Sequence, residues 1–183
     1  PTPPPDACPP PAATRADAII TSGGVSVGEA DFIRGLMAKL GEVAFWKIAM
    51  RPGRPMAFGR IGSDADAAWL SGLPGNPVAV MVTFYAFVRD ALLKLSGVAP
   101  VSPLPRFRVP CVTPLKKRPG RSEFQRGVLF HENGEWKVRA TASQGSGVLR
   151  SMSEANCLIV VEPERGNVEP GEAVDVQPFE GLV

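Results

Sequence analysis

The stretch Leu73-Pro74-Gly75-Asn76-Pro77 combines residues that begin a helix with a residue that lets a ligand approach it. Asn76 is a favourable N-cap residue, because its side-chain oxygen can accept a hydrogen bond from an amide two or three residues later. Pro77 suits the first helical position, and Gly75 leaves room for a ligand against the backbone. Free amides and the positive end of the helix dipole would then form an anion site. An ordinary strand-to-helix turn explains the stretch equally well.

A glycine-rich loop covers residues 22–31, between a short apolar stretch and an apolar pattern of helical period. The amides of Gly23 and Gly24 could bind a phosphate or another oxyanion. The glycine spacing does not match the dinucleotide-binding fingerprint, and no Gly-Lys-Ser/Thr follows, so this is not a P-loop. A purely structural loop remains the alternative.

Two carboxylates, Glu29 and Asp31, lie at the far end of the same loop. Hard cations such as Mg²⁺ bind carboxylate oxygens together with substrate phosphates. Asp31 is also well placed to cap the helix that follows, and on the residues alone the cap is the better interpretation.

Three cations accompany the second predicted loop. Lys47 is predicted in the middle of a strand beside Trp46, and Arg51 and Arg54 flank a Pro-Gly turn. A cleft-facing lysine and two arginines could bind a phosphate or oxyanion. An edge lysine and a solvated loop are the alternative explanations.

Alternating strands and helices are predicted to position these loops, as in an α/β domain with a mixed sheet. Ligands of open α/β sheets bind beyond the carboxyl ends of the strands, so we expect the three loops to converge. The predicted strands are 17–21, 43–49, 56–60 and 67–70, and the predicted helices are 31–40 and 77–96, the second largely buried.

The chain changes character after residues 98–105, a proline-rich linker. Short β-rich segments follow, and Asn133-Gly134 is a strong hairpin signal. We therefore predict a proline-rich lead-in over 1–15, an incomplete three-layer α/β domain over 16–101, and a small all-β, barrel-like domain over 102–183. The predicted strands of the last domain are 106–112, 122–131, 136–140, 157–162 and 173–177, with one short helix within 146–154.

Composition narrows the possible functions. The 183 residues carry a net charge of +2, too little to indicate nucleic-acid binding. Cys8, Cys111 and Cys157 share no metal-ligand spacing and favour a reducing compartment. No apolar run reaches the roughly 20 residues that a membrane span needs, so we expect a cytoplasmic protein that binds neither membrane nor nucleic acid.

A short basic run is formed by Lys116, Lys117 and Arg118, with Arg121 close by. We interpret it as a solvated loop, and an anion or partner site is the less favoured alternative.

Several motifs, in order, resemble the bacterial molybdopterin molybdenumtransferases, the molybdenum insertases related to the E domain of gephyrin. The motifs are Ser22-Gly-Gly-Val-Ser-Val-Gly-Glu-Ala-Asp31, Phe45-Trp-Lys-Ile-Ala-Met-Arg-Pro-Gly-Arg-Pro55, Gly72-Leu-Pro-Gly-Asn-Pro77, Pro119-Gly-Arg-Ser-Glu-Phe-Gln-Arg-Gly127 and Gly166-Asn-Val-Glu-Pro-Gly171. The resemblance covers about residues 16–180. It implies a reaction in which molybdate is joined to adenylylated molybdopterin and AMP is released, with Mg²⁺ involved.

By these motifs the resemblance places Asp31, Lys47, Arg51, Pro74 and Pro77 at the active site, with Arg51 where a lysine is common. Together with the loop residues this defines two sets of candidates. The candidate catalytic residues are Asp31, which is also the candidate metal ligand, Lys47 and Arg51. The candidate substrate-binding residues are Ser22, Gly23, Gly24, Ser26, Glu29, Arg54, Pro74, Gly75, Asn76 and Pro77.

The resemblance also implies that further domains precede this region, that the full-length protein is a homodimer, and that the fragment alone is inactive. Two other functions are compatible with the sequence. One is a domain that only binds or adenylylates molybdopterin, and the second predicted domain argues against it. The other is a gephyrin-like interaction scaffold.

Overall fold

A computed structural model describes residue 13 and residues 15–23, 41–62, 67–145 and 150–179. The predicted helix over residues 31–40 and most of the proline-rich lead-in lie outside these residues. The strands are β1 (Ala18–Ser22), β2 (Gly41–Lys47), β3 (Met50–Arg51), β4 (Pro55–Ile61), β5 (Ala68–Leu73), β6 (Phe107–Pro110), β7 (Ser122–Glu132), β8 (Glu135–Ala140), β9 (Cys157–Val161) and β10 (Ala173–Pro178). The helices are α1 (Pro77–Thr83), α2 (Arg89–Leu95) and α3 (Arg150–Glu154).

The first sheet has the order β1-β5-β4-β2 and is mixed, as predicted. β1 pairs with β5 in parallel, whereas β4 is antiparallel to both β5 and β2. β1, β2 and β5 therefore run in the same direction, and their carboxyl ends lie at one edge of the sheet. The chain segments that begin after Ser22, Lys47 and Leu73 all leave from this edge, which is the arrangement predicted for the three loops.

One long helix packs against this sheet. It consists of α1, a π-helical segment over Phe84–Val88, and α2. Val88 and the half-buried Phe84 and Leu92 pack against Met56 and Leu73 of the sheet. The expectation that this helix is largely buried is wrong in part. Its apolar residues exceed the area that the sheet covers, so Met81 and Phe87 are exposed.

The second sheet has the order β3-β7-β9-β10-β6, with β8 paired to β7. It closes on itself, because Cys111, just after β6, forms a parallel bridge with Val138 of β8. Asn133 and Gly134, both with positive φ, form the predicted hairpin turn between β7 and β8. The interior is apolar, with Val138, Ile159 and Val176 fully buried. The predicted fold class, a mixed α/β unit followed by a barrel-like β unit, is confirmed.

The two sheets are joined by β3. The sequence predicts a turn over residues 50–55, but Met50 and Arg51 pair in parallel with Ser122 and Glu123 of β7. Met50 is buried against Phe124 and Val82. This part of the prediction is wrong, because the partner strand lies about 70 residues away in the sequence and leaves no local signal.

The described residues contain no helix that is long and apolar enough to cross a membrane.

Candidate functional site

A cavity of about 760 Å³ lies between the two sheets. One wall comes from the 51–55 loop and from the 74–76 turn at the carboxyl edge of the first sheet. The opposite wall comes from β7 and from the segment that follows β8. Because each sheet supplies one wall, the cavity exists only when the two are packed together. We refer to this cavity as the cleft.

The 74–76 turn has the predicted capping geometry. Oδ1 of Asn76 accepts hydrogen bonds from the amides of Val78 and Ala79, at 3.1 and 3.3 Å. The amide of Val80 donates to the Asn76 carbonyl at 2.8 Å, and Pro77 has no N–H to donate. The cap therefore occupies the amides of Val78 and Ala79, and the first helical turn occupies that of Val80. The helix dipole, the half-buried Asn76 side chain and the backbone of Gly75 remain for a ligand.

The loops after β1 and β5 touch each other. The amide of Gly23 donates to the carbonyl of Leu73 at 3.0 Å, and a Cβ atom on Gly75 would lie 3.4 Å from Cα of Gly23. Ser22, the last residue of β1, is exposed beside them. The structure thus brings together one part of the glycine loop and the helix-starting turn. Gly24, Ser26, Glu29 and Asp31 lie outside the described residues.

Of the three cations predicted at the second loop, the fold places only Arg51 in the cleft lining. Arg51 lines the cleft, and its Nη1 lies 3.8 Å from Oε1 of the buried Glu123. Lys47 is the last residue of β2 and is exposed, so the mid-strand position predicted for it is wrong. Neither Lys47 nor the exposed Arg54 lines the cleft. Pro74 is buried in the cleft wall, whereas Pro77 is exposed and does not line it.

Arg126, in the middle of β7, lines the cleft and is a residue that sequence reasoning missed. Its side chain is only 2% exposed. Nε donates to Oγ of Ser151 at 3.1 Å, and Nη2 donates to the carbonyls of Ser143 and Gly145 at 3.2 and 3.1 Å. Burial lowers the pKa of the Arg126 guanidinium, and the charge of Arg51 lowers this pKa further.

Within the described ranges, Arg126 has no carboxylate partner within salt-bridge distance, and Nη1 makes no hydrogen bond to the protein. Buried charges are costly unless they are paired. A guanidinium that faces a cavity with two N–H groups to spare is therefore suited to bind an anion. The sequence did offer one signal for Arg126 as a site residue. It is an arginine in the middle of a predicted, half-apolar strand, and it lies inside the 119–127 motif.

No group of three or more His, Cys, Asp or Glu residues that could hold a metal is present in the part of the chain that the structure describes. Cys111 and Cys157 are buried, and neither forms a disulfide. Burial raises the pKa of the Cys157 thiol to about 12. Both cysteines pack in the barrel interior, where a buried thiol is a poor metal ligand and a poor nucleophile.

Two family models match the chain, one for each sheet. A probable molybdopterin binding domain matches residues 11–94, and the MoeA C-terminal region (domain IV) matches residues 108–179. Together they define the class of protein, a molybdopterin-binding α/β unit followed by the C-terminal β unit of MoeA proteins.

Among curated relatives, the chain is 46% identical over 173 residues to the molybdopterin molybdenumtransferase of Haemophilus influenzae. That alignment covers 94% of this chain and 42% of the relative. The chain is also 34% identical to gephyrin of Dictyostelium discoideum, covering 87% of this chain and 25% of the relative. The chain belongs to the molybdopterin molybdenumtransferase family and spans less than half the length of these relatives.

Solved structures agree on the fold. The molybdopterin biosynthesis moeA protein from Pyrococcus horikoshii is 24% identical with a TM-score of 0.69, and the match covers 91% of this chain and 38% of the other. A molybdenum cofactor biosynthesis protein from Pyrococcus furiosus is 26% identical with a TM-score of 0.65, covering 92% and 51%.

Proposed function

We propose that this chain is part of an enzyme that joins molybdate to adenylylated molybdopterin and releases AMP. Family membership supports a role in molybdenum cofactor biosynthesis. The single observation that carries the proposal is Arg126, a buried cation that faces the cleft without a carboxylate partner among the described residues.

Arg126 is suited to the molybdate half of this reaction. Molybdate is a compact dianion, and the two N–H groups of Nη1 can each donate a charge-assisted hydrogen bond to its oxygens. The bonds from Nε and Nη2 to the protein fix the guanidinium plane and leave Nη1 available for a ligand. In a buried site such a contact is stronger than in water, because little solvent screens it. Arg51, on the same cleft, would add a second positive charge.

The remaining candidate residues would act on the pterin substrate. Ser22, Gly23, Gly75 and Asn76 lie where the loops after β1 and β5 meet, beside the cleft. We assign them, with Pro74, to substrate binding, and we extend this role by motif to Gly24, Ser26, Glu29, Arg54 and Pro77. Lys47 is assigned a catalytic role through the motif alone, since it lies outside the cleft lining.

Magnesium, the dimer and the cellular location belong to the same proposal. Asp31, with Glu29 nearby in the sequence, would provide carboxylate oxygens for Mg²⁺, which neutralises phosphate charge when bound. Homodimerisation of the full-length protein and a cytoplasmic location are the expectations that the family resemblance and the composition support.

The test uses a chimera in which this chain replaces the matching 42% of the Haemophilus influenzae enzyme. We expect the chimera to release AMP from adenylylated molybdopterin in a molybdate-dependent reaction. Arg126→Gln should reduce this rate by on the order of a hundredfold, a loss typical of removing one transition-state contact. Arg126→Lys keeps the charge but not the planar guanidinium that the bonds to Ser151, Ser143 and Gly145 hold in place, and should recover the rate only in part.

Arg108→Gln is the matched control. Arg108 is an exposed arginine on β6 that lines neither the cleft nor the neighbouring cavity beside residues 116–121. It should leave AMP release within twofold of the chimera. Full activity of Arg126→Gln with unchanged molybdate affinity would contradict the role of Arg126 as the molybdate ligand. A chimera that binds the pterin but releases no AMP with molybdate would favour a domain that only binds molybdopterin.

A further inference from the structure

A second cavity, of about 620 Å³, adjoins the cleft on the barrel side. Glu123 is its one carboxylate in the described part of the chain, and five cationic residues line it: Arg51, Lys116, Lys117, Arg118 and Arg121. We call this cavity the basic groove. We propose that the basic groove binds the phosphate group of the nucleotide that leaves the substrate. This assignment rests on the proposed function and adds a site for the leaving group.

The loop that carries these cations is fixed by hydrogen bonds to residues 163–167. Lys117 is buried, and its Nζ donates to the carbonyls of Pro163 and Arg165 at 3.2 and 2.6 Å. The amide of Lys117 donates to Oδ1 of Asn167 at 3.0 Å, and the amide of Gly120 donates to the Pro163 carbonyl at 2.8 Å. Lys117 lines the groove, but its Nζ is used to anchor the loop, because it donates to three backbone carbonyls. The expectation of a plain solvated loop is wrong for this residue.

Glu123 keeps two of the cations in place without neutralising the groove. Its Oε1 lies 3.5 Å from Nε of Arg121 and 3.8 Å from Nη1 of Arg51. Its Oε2 accepts a hydrogen bond from Gln125 at 3.3 Å. Oε1 is buried and makes no hydrogen bond within the described residues. One carboxylate therefore orients two guanidiniums, and the five cations leave a strong positive excess around the groove.

The groove and the cleft are connected, because Arg51, Lys116 and Glu123 line both. A single ligand can therefore place one end beside Arg126 and a phosphate among the loop cations. Such a shape suits a substrate in which the reacting group and a nucleotide are joined through phosphates. A phosphate monoester with two negative charges matches exposed arginines better than a neutral group does.

The test compares AMP, inorganic phosphate and adenosine as ligands of the purified chain in equilibrium dialysis. We expect AMP and phosphate to bind and adenosine not to bind. Arg118→Gln with Arg121→Gln should weaken AMP and phosphate by at least about tenfold, the loss expected for hydrogen bonds to charged groups. Arg118→Gln alone should weaken both by about threefold, since this exposed side chain has no protein partner in the described ranges that its loss would strand. Arg108→Gln is the matched control and should change nothing.

Molybdate binding separates this inference from the proposed function. In the groove variants it should stay within twofold, because Arg126 is intact, whereas Arg126→Gln should abolish it. Unchanged AMP affinity in the double groove variant, or adenosine binding as tightly as AMP, would overturn the groove assignment and leave the proposed function standing. Loss of AMP binding in the double groove variant, together with a parent chimera that releases no AMP with molybdate, would overturn the proposed function alone.

Discussion

Two buried charges beside the cleft, Arg126 and Glu123, illustrate opposite situations at the scale of single residues. Glu123 has two guanidiniums within 4 Å, whereas Arg126 is bound by hydroxyl and carbonyl oxygens and has no carboxylate partner among the described residues. The free energy of burying a cation is offset only when an anion is near. Glu123 is thus paired with cations of the protein, although its Oε1 makes no hydrogen bond among the described residues, whereas a bound oxyanion would supply the partner of opposite charge that Arg126 lacks there.

The first residue-scale prediction concerns the cap at the cleft. Asn76→Ala removes the acceptor for the amides of Val78 and Ala79. We expect the free energy of unfolding to fall by about 1 kcal/mol. Urea denaturation measures this change.

Asn76→Asp separates capping from ligand binding. Aspartate caps about as well as asparagine, so stability should stay close to that of the parent chain. Its negative charge borders the cleft and should weaken molybdate binding, which equilibrium dialysis measures. If Asn76→Asp binds molybdate normally, then Asn76 serves the helix and not the ligand.

At the scale of elements, the loop between β2 and β4 depends on its contact with the long helix. Gly53 has φ of +101° and lies against Thr83 of α1. A Cβ atom at this position would overlap Oγ1 of Thr83 and approach Met50 Cε. We expect this close approach to help position Arg51, which lies two residues earlier and lines the cleft.

Gly53→Ala should therefore cost more than backbone strain alone. Gly97→Ala is the matched control, because Gly97 also has positive φ but has open space around it. We expect about 1–2 kcal/mol of destabilisation for Gly97→Ala, and a further 1–3 kcal/mol, roughly, for Gly53→Ala from overpacking. Thermal or urea unfolding of both variants gives the difference.

Thr83→Ala provides a second check on the same contact. Oγ1 of Thr83 is buried without a hydrogen-bond partner in the described residues, so its removal should be nearly neutral. In that background the extra penalty of Gly53→Ala should shrink, which a double-mutant cycle measures. Equal penalties in both backgrounds would mean that the overlap with Thr83 is not the cause.

At the scale of the whole molecule, a small apolar cluster packs the two units together. Met50 lies on β3, Val82 on the long helix, and Phe124, Leu158 and Val160 on the barrel. The cleft lies beside this cluster and has one wall from each unit. The position of Arg51 relative to Arg126 therefore depends on the packing of the cluster.

Met50→Ala tests this dependence. Met50 is 3% exposed, and truncating a buried methionine costs about 2–5 kcal/mol. We expect this loss in urea denaturation, together with weaker molybdate binding in the folded protein. Met81→Ala is the control, because Met81 is 36% exposed and should cost at most about 0.5 kcal/mol. A Met50→Ala protein with normal stability would mean that the two units do not depend on this contact.

The sequence by itself determined the features that short-range chemistry controls. Asn76 and Pro77 begin a helix because a cap and a fixed φ act within four residues. Asn133 and Gly134 make a hairpin because both tolerate positive φ. Most of the described strands and the long helix from Pro77 followed from local apolar patterns, and the family followed from motifs that are contiguous in the chain.

Only the tertiary structure decided which of these residues share a site. β3 became a strand because β7 provides a partner, and the amides of Val78 and Ala79 are bound by the Asn76 cap. Arg126 became a buried cation because the segment after β8 folds over it. These outcomes depend on contacts between residues far apart in the chain, and burial and charge pairing are properties of such contacts and not of local sequence.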